Sequence, residues 1–231
     1  MFGFVKKRKD KQLNPDEITE KNLNQIVDFT LLKPTATIKE LENFLSVAYK
    51  NRYYSVCVNP VNVKYAKRYI ANKFKDKIKL CSVVGFPLGE NATEIKVAEA
   101  KLAVQDGADE IDVVMSISRA KSGDWKYVKD EISRVVRCAK GRVVKIIIET
   151  AYLTKSEIEK ASQVCVKARV DFVKTSTGFA NGGATPEIVE IIKSVVKNKC
   201  GIKASGGIES VDDAMDMVRM GANRIGTSRK L

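Results

Sequence analysis

Short apolar runs rich in Val and Ile alternate along the chain with stretches of about a dozen residues whose apolar side chains recur at helical spacing. The runs fall at Ile26 to Phe29, Tyr54 to Val58, Lys79 to Gly85, Glu110 to Met115, Val143 to Glu149, Asp171 to Thr177, Gly201 to Ser205 and Arg224 to Thr227. Gly, Asn, Pro or Asp separates each from the next segment. This is the rhythm of successive βαβ units, and eight such strands with interleaved helices close into a single (β/α)8, or TIM, barrel. The helical segments also mark their own ends. Thr37-Ile-Lys-Glu40 and Thr154-Lys-Ser-Glu157 match the capping box, while Pro15 and Pro186 stand where a first helical position needs no N–H. Gly107, Gly141 and Gly221 follow periodic segments as helix C-caps do. After the last strand only Ser228, Arg229, Lys230 and Leu231 follow, so the final outer helix is truncated or missing. Either an extra N-terminal helix around Asn14 to Gln25 or a partner subunit is expected to cover that edge.

With 231 residues and no low-complexity linker, residues 1–231 read as one domain, preceded by a flexible basic tail over 1–13 that carries Lys6, Lys7, Arg8 and Lys9. A 44% hydrophobic and 30% charged composition suits an ordinary folded protein. No apolar run approaches the roughly 20 residues needed to cross a bilayer, and the first residues lack a secretion signal, so a cytoplasmic location without a membrane partner is expected. The excess of 41 Lys+Arg over 28 Asp+Glu gives +13, which favours anionic partners. That charge is spread thinly, which argues against nucleic acid and leaves small phosphorylated metabolites among the anionic partners it favours. Five cysteines without a Cys-x-x-Cys pair read as reduced thiols. The chain has no histidine, so proton transfer falls to Lys, Asp, Glu, Tyr or Cys.

The chemical signal is lysine inside strands: Lys145, Lys174 and Lys203 sit in the fifth, sixth and seventh apolar runs. Neither a packed barrel interior nor the helix layer suits an unpaired ammonium. One such lysine is easily explained as snorkelling at a strand end, but three in succession call for chemistry. Inward-facing neighbours disfavour one another's protonation, which is expected to lower at least one pKa and free an amine for imine formation. Asp112, in the middle of the fourth run, is the candidate for moving protons; Asp28 on the first run holds either Lys203 or a substrate hydroxyl. Glycine-rich segments then close the later strands: Thr177-Gly178, Ser205-Gly206-Gly207 and Gly226-Thr227-Ser228. Barrels commonly bind phosphate there, on backbone N–H groups that glycine lets an anion approach. Asn181-Gly182-Gly183 reads as a turn or a lid hinge.

These residues are similar to those of the deoxyribose-phosphate aldolases, class I aldolases built on a barrel. The resemblance runs from about Val27 to Ser228 and is carried by Asp28-Phe-Thr-Leu-Leu-Lys-Pro34, Ser55-Val-Cys-Val-Asn-Pro60, Val83-Val-Gly-Phe-Pro-Leu-Gly89, Glu110-Ile-Asp-Val-Val114, Lys174-Thr-Ser-Thr-Gly-Phe179 and Lys203-Ala-Ser-Gly-Gly207. It implies a Schiff base on Lys174, a relay through Asp112 and Lys203, and a phosphate held by Gly178, Gly206, Gly207 and Ser228, with Gly226 and Thr227 beside it. The reaction implied is reversible cleavage of 2-deoxyribose 5-phosphate, without metal or cofactor, in a homo-oligomer such as a dimer or tetramer. Asp28, Cys57, Lys145 and Thr177 are expected around the substrate, Cys57 beside a small aldehyde pocket. Three features depart from the pattern. Phe29 replaces a common His, Arg229 replaces a small residue, and the usual final helix and tyrosine-bearing tail are missing.

Overall fold

The computed structural model describes residues 13–231, so the basic cluster at Lys6 to Lys9 lies outside the described residues. Eight parallel strands form a closed barrel in sequence order: β1 Val27–Leu31, β2 Ser55–Val58, β3 Lys79–Val84, β4 Glu110–Val114, β5 Val143–Ile147, β6 Phe172–Lys174, β7 Gly201–Ser205 and β8 Arg224–Thr227. Seven of the expected runs contain their strand whole, and the first overlaps β1, which continues two residues past Phe29 to Leu31. Around the barrel lie α1 Ile38–Lys50, α2 Val63–Phe74, α3 Thr93–Gln105, α4 Ile117–Lys121, α5 Trp125–Cys138, α6 Lys155–Ala168, α7 Pro186–Val196 and α8 Val211–Arg219. The β4–β5 connection holds both α4 and α5.

Local chemistry sets the helix ends. Glu40 N–H donates to Thr37 Oγ1 at 3.2 Å while Thr37 N–H donates to Glu40 Oε2 at 2.7 Å, and Thr154 and Glu157 repeat the arrangement at α6. Such reciprocal capping satisfies backbone donors that no earlier carbonyl can reach. Behind its cap, α1 buries Leu41, Phe44, Leu45 and Ala48 against the strands.

The N-terminal segment differs from the expected helix. Pro15–Glu17 and Glu20–Ile26 are 3-10 turns. Asn22 explains part of this, since its side chain accepts from Thr19 N–H at 2.7 Å and donates to Glu17 carbonyl at 2.9 Å, closing a local loop. Even so, Ile18, Leu23 and Ile26 enter the main core, and the first turn rests on α8. No helix follows β8 among the described residues. Instead Leu231 packs on the core and exchanges two hydrogen bonds with the Tyr53 hydroxyl, at 3.0 and 3.1 Å.

The strand register decides which side chains enter the barrel. Cys81 pairs with Glu110, Asp112 with Lys145, and Lys174 with Lys203, which pairs in turn with Arg224. Asp28 pairs with Ser55 and Gly226. Barrel interiors are usually layers of Val, Ile and Leu; this one is filled largely by charge. Phe29, one position from Asp28, faces the helices, stacked on Phe44 at 4.6 Å between ring centroids. The aromatic ring therefore belongs to the outer core, and the partners of Asp28 are all on the other side of the strand.

Candidate active site

Asp112 sits at the centre of the barrel and is fully buried. Its Oδ1 accepts from Lys145 Nζ at 2.8 Å and from the Cys81 thiol at 3.1 Å. Its Oδ2 accepts from both Lys174 Nζ and Lys203 Nζ, each at 2.8 Å. A second group of charges lies beside it. Asp28 accepts from Ser55 Oγ at 2.6 Å, from Arg224 at 2.9 Å and from Lys203. Glu110 pairs with Lys145 and, at 3.0 Å, with Arg224. The Arg224 guanidinium also covers the Tyr54 ring at 3.9 Å, a cation–π contact that offsets part of its burial.

At Lys145 and Lys203 the carboxylates act against the expected repulsion. Burial disfavours the charge on Lys145 and Lys203, but Asp112 and Asp28, joined at Lys145 by Cys81 and Glu110, outweigh it and hold both amines above the ordinary lysine range. Mutual repulsion among lysines is therefore not the dominant force on these two. Asp112 and Asp28 shift the other way. Desolvation would raise them, yet the surrounding Lys145, Lys174, Lys203 and Arg224 charges keep both carboxyls below the usual range. Lys174 differs in its connections: Asp112 is its one carboxylate partner among the described residues, whereas Lys145 and Lys203 each reach two or more.

Lys174 is also the lysine of the three that opens on solvent. It lines a cleft of about 730 Å³ at the C-terminal mouth of the barrel, together with Thr177, Gly178, Gly206, Gly207, Gly226, Thr227 and Ser228. Gly178, Gly206 and Gly207 have φ of +82°, +84° and +77°, a backbone region that side chains disfavour. Their N–H groups are not consumed by strand pairing, which leaves the loop suited to an anion. Hydroxyls fix its frame. Thr175 Oγ1 donates to Ser205 carbonyl at 2.9 Å, and Thr227 Oγ1 donates to Ile208 carbonyl at 2.7 Å, so Thr227 shapes the loop with its hydroxyl already used. Thr177 likewise gives its hydroxyl to Glu149.

Asp28, Cys57 and Lys145, expected around a substrate, do not line this cleft; all three are fully buried beneath it. The reason is depth along the strands: each lies nearer the barrel centre than the strand ends that form the mouth. Cys57 instead joins Leu32, Cys81 and Val83 in a small apolar cluster with Phe86 against it. Arg229 is 63% exposed, 3.6 Å from Glu209, at the rim. Asn181 and Gly182 are exposed, and the segment is packed from Gly183 on, where a Cβ would meet Gly206 carbonyl at 2.2 Å and Ala184 N–H donates to the Ser205 and Gly206 carbonyls. Sequence reasoning missed Glu110, Arg224 and Cys81. Their signal was the strand period of two: Glu110 precedes Asp112, and Arg224 precedes Gly226, by one inward step.

Comparison with known proteins gives a consistent result. A family model described as DeoC/LacD family aldolase matches residues 20–228. A deoxyribose-phosphate aldolase from Thermococcus gammatolerans is 49% identical over 209 residues, covering 90% of this chain and 92% of that protein. Among solved structures, one described as "QR15, an aldolase" superposes with a TM-score of 0.85 at 44% identity, covering 90% of this chain and 91% of the other. Another, a deoxyribose phosphate aldolase from Aeropyrum pernix described as tetrameric, gives 0.84 at 36% identity, with coverage of 91% and 88%.

Proposed function

The chain belongs to the DeoC/LacD family of aldolases, and we infer from that membership and from its central amine–carboxylate group that it is a class I aldolase cleaving 2-deoxyribose 5-phosphate. The products are acetaldehyde and glyceraldehyde 3-phosphate, and the reaction runs in both directions. The observation that carries the chemistry is the 2.8 Å contact of Lys174 Nζ with Asp112 Oδ2 at the base of a glycine-lined mouth.

Lys174 exchanges its ion pair for a bond to the sugar carbonyl carbon, passing a proton along that contact to Asp112. Loss of water leaves an iminium, into which electrons flow as the bond between the second and third sugar carbons breaks. The departing water carries off the proton that Asp112 had taken, and the regenerated carboxylate accepts the proton of the third-carbon hydroxyl as that bond breaks. Protonation of the resulting enamine and hydrolysis release acetaldehyde. Lys203, on the same Asp112 oxygen, is the group that returns a proton to the relay. Asp28, Glu110 and Arg224 act through Lys145 and Lys203 by fixing their positions. The Gly178, Gly206, Gly207 and Gly226 backbone with Ser228 takes the phosphate, and Leu32, the one member of the Cys57, Cys81 and Val83 cluster that lines the cleft, packs against the two-carbon fragment.

Residues 13–231 act as one domain. A homo-oligomer is supported by the tetramer described for the Aeropyrum pernix relative. A cytoplasmic setting follows from a charged sugar phosphate, which membranes retain, and no helix among the described residues is long and apolar enough to span one. Borohydride trapping with deoxyribose 5-phosphate tests the mechanism. A mass gain is expected on the peptide containing Lys174; labelling at Lys203 alone would move the nucleophile, and no adduct at all would overturn the reading.

A further inference from the structure

The barrel interior holds a pair of thiols that take no part in the bond-making steps above. Cys57 and Cys81 are register partners on β2 and β3, both inward-facing and fully buried. Neighbouring strands run about 4.8 Å apart, within the roughly 4.4–6.8 Å between α-carbons that a disulfide spans. Inward side chains of a closed barrel converge on its axis, which brings such a pair nearer than a flat sheet would. The two sulfurs and an Asp112 oxygen all lie within 4.8 Å of one another. Two sulfurs and a carboxylate also resemble a metal-ligand set. Here three ammonium groups already occupy that carboxylate and oppose a divalent cation, leaving oxidation as the chemistry open to the thiols.

We propose that Cys57 and Cys81 are a modification site at which a hydroperoxide joins them in a disulfide, reversibly switching off the adjacent Asp112 centre. With hydrogen peroxide as the oxidant, the Cys57 sulfur attacks one oxygen, the O–O bond breaks, and the departing hydroxide takes the proton that Cys57 gives up and leaves as water. Cys81 sulfur then displaces the hydroxyl of the sulfenic acid, and that hydroxyl leaves as a second water with the Cys81 proton. Two thiols give up two electrons, which the peroxide accepts. The order of attack follows from the surroundings. The neighbouring Cys81 thiol and the Lys203 and Lys174 charges lower the Cys57 pKa against the opposing effects of burial and the Asp112 charge, whereas burial raises that of Cys81. Leu32 lines the cleft on which Lys174 opens and packs in the same cluster as both cysteines, so the route for a peroxide, smaller than a sugar phosphate, runs past that side chain to the buried thiols. The disulfide removes the Cys81 hydrogen bond to Asp112 and tightens the apolar cluster of Leu32 and Val83. Its effect on turnover rests on the aldolase reading; its formation does not.

The test treats the full chain with hydrogen peroxide, blocks free thiols, digests with trypsin without reductant and reads the peptides by mass spectrometry. Lys79 separates the two cysteines, so a disulfide appears as two peptides joined with the loss of two hydrogens. Turnover of deoxyribose 5-phosphate is followed before oxidation, after it and after dithiothreitol. The expected result is a Cys57–Cys81 link with turnover lowered about tenfold or more, since misplacing reacting groups by ~1 Å costs on the order of 10²-fold, and recovery on reduction. Cys81→Ala, compared with its own untreated rate, is expected to show no recoverable loss. No Cys57–Cys81 link, a link between Cys165 and Cys200 in its place, a disulfide that leaves turnover unchanged, or the same recoverable loss in Cys81→Ala would each overturn the proposal. A chain that forms the link yet never turns over substrate would refute the aldolase reading and leave the thiol site standing.

Discussion

Lys174 and Lys203, register neighbours on β6 and β7, donate to the same oxygen of Asp112, each from 2.8 Å. One carboxylate oxygen thus faces both the amine proposed to form the imine and the amine proposed to supply the relay. A proton needs to travel only across two short hydrogen bonds to pass between them. The other oxygen, held by Lys145 and Cys81, keeps the carboxylate from rotating.

Asp112→Asn replaces that shared acceptor with an amide that cannot carry the proton. Turnover is expected to fall by about 10²–10⁴-fold, the usual contribution of a positioned acid–base group. Removing the anion from three buried ammonium groups also costs stability, about 3–5 kcal/mol for a broken buried pair. Steady-state kinetics and urea unfolding measure the two effects separately. A variant with wild-type turnover would remove Asp112 from the relay.

The charged interior also predicts the shape of the stability curve against pH. Asp28 and Asp112 titrate below the ordinary 3.8 because lysine and Arg224 charges outweigh desolvation, so their stabilisation is complete above that pH and drains away as pH falls through the folded values. Lys145 and Lys203 titrate above 10.5, and their contribution is complete below that pH and is lost as pH rises beyond it. The melting temperature should therefore carry little dependence from this cluster between pH 3.8 and 10.5 and fall on both sides. Thermal melts across the range check this; a melting temperature that climbs below pH 3.8 would contradict it.

Gly226→Ala probes the packing behind the relay. A Cβ there would stand 2.9 Å from both Lys203 Cε and Ser205 Cβ, closer than packed carbons approach. Overpacking of this kind costs about 1–3 kcal/mol, and the Lys203 stem is the part free to shift. A lower melting temperature together with reduced turnover is expected. Unchanged values in both measurements would show that the site tolerates the methyl group.

Ser228→Asp places a negative charge at the mouth where the phosphate is proposed to sit. The Michaelis constant for deoxyribose 5-phosphate should rise by about tenfold or more, since like charges brought together at an effective dielectric near 20 cost on the order of 1.4 kcal/mol or more. Unphosphorylated deoxyribose has no such charge, so its turnover by the variant should change little. Equal losses for both sugars would move the phosphate elsewhere.

Strand positions, helix caps and the inward lysines were written in the sequence because they rest on local rules. A period of two, a Thr three residues before a Glu, or a charge inside an apolar run needs no knowledge of distant partners. The glycine loops were legible for the same reason, since left-handed backbone restricts residue choice at a single position. The state of the lysines was not. Asp28 and Lys203 stand 175 positions apart and meet through barrel closure, which also brings Glu110 and Arg224 to Lys145 and Asp28. Once those carboxylates are in place, attraction outweighs the repulsion that three neighbouring ammonium groups suggested. Register likewise turned Phe29 outward and Asp28 inward and paired Cys57 with Cys81. The residue types came from the chain; the net field at each of them was decided by the ring of strands that brought remote charges within contact.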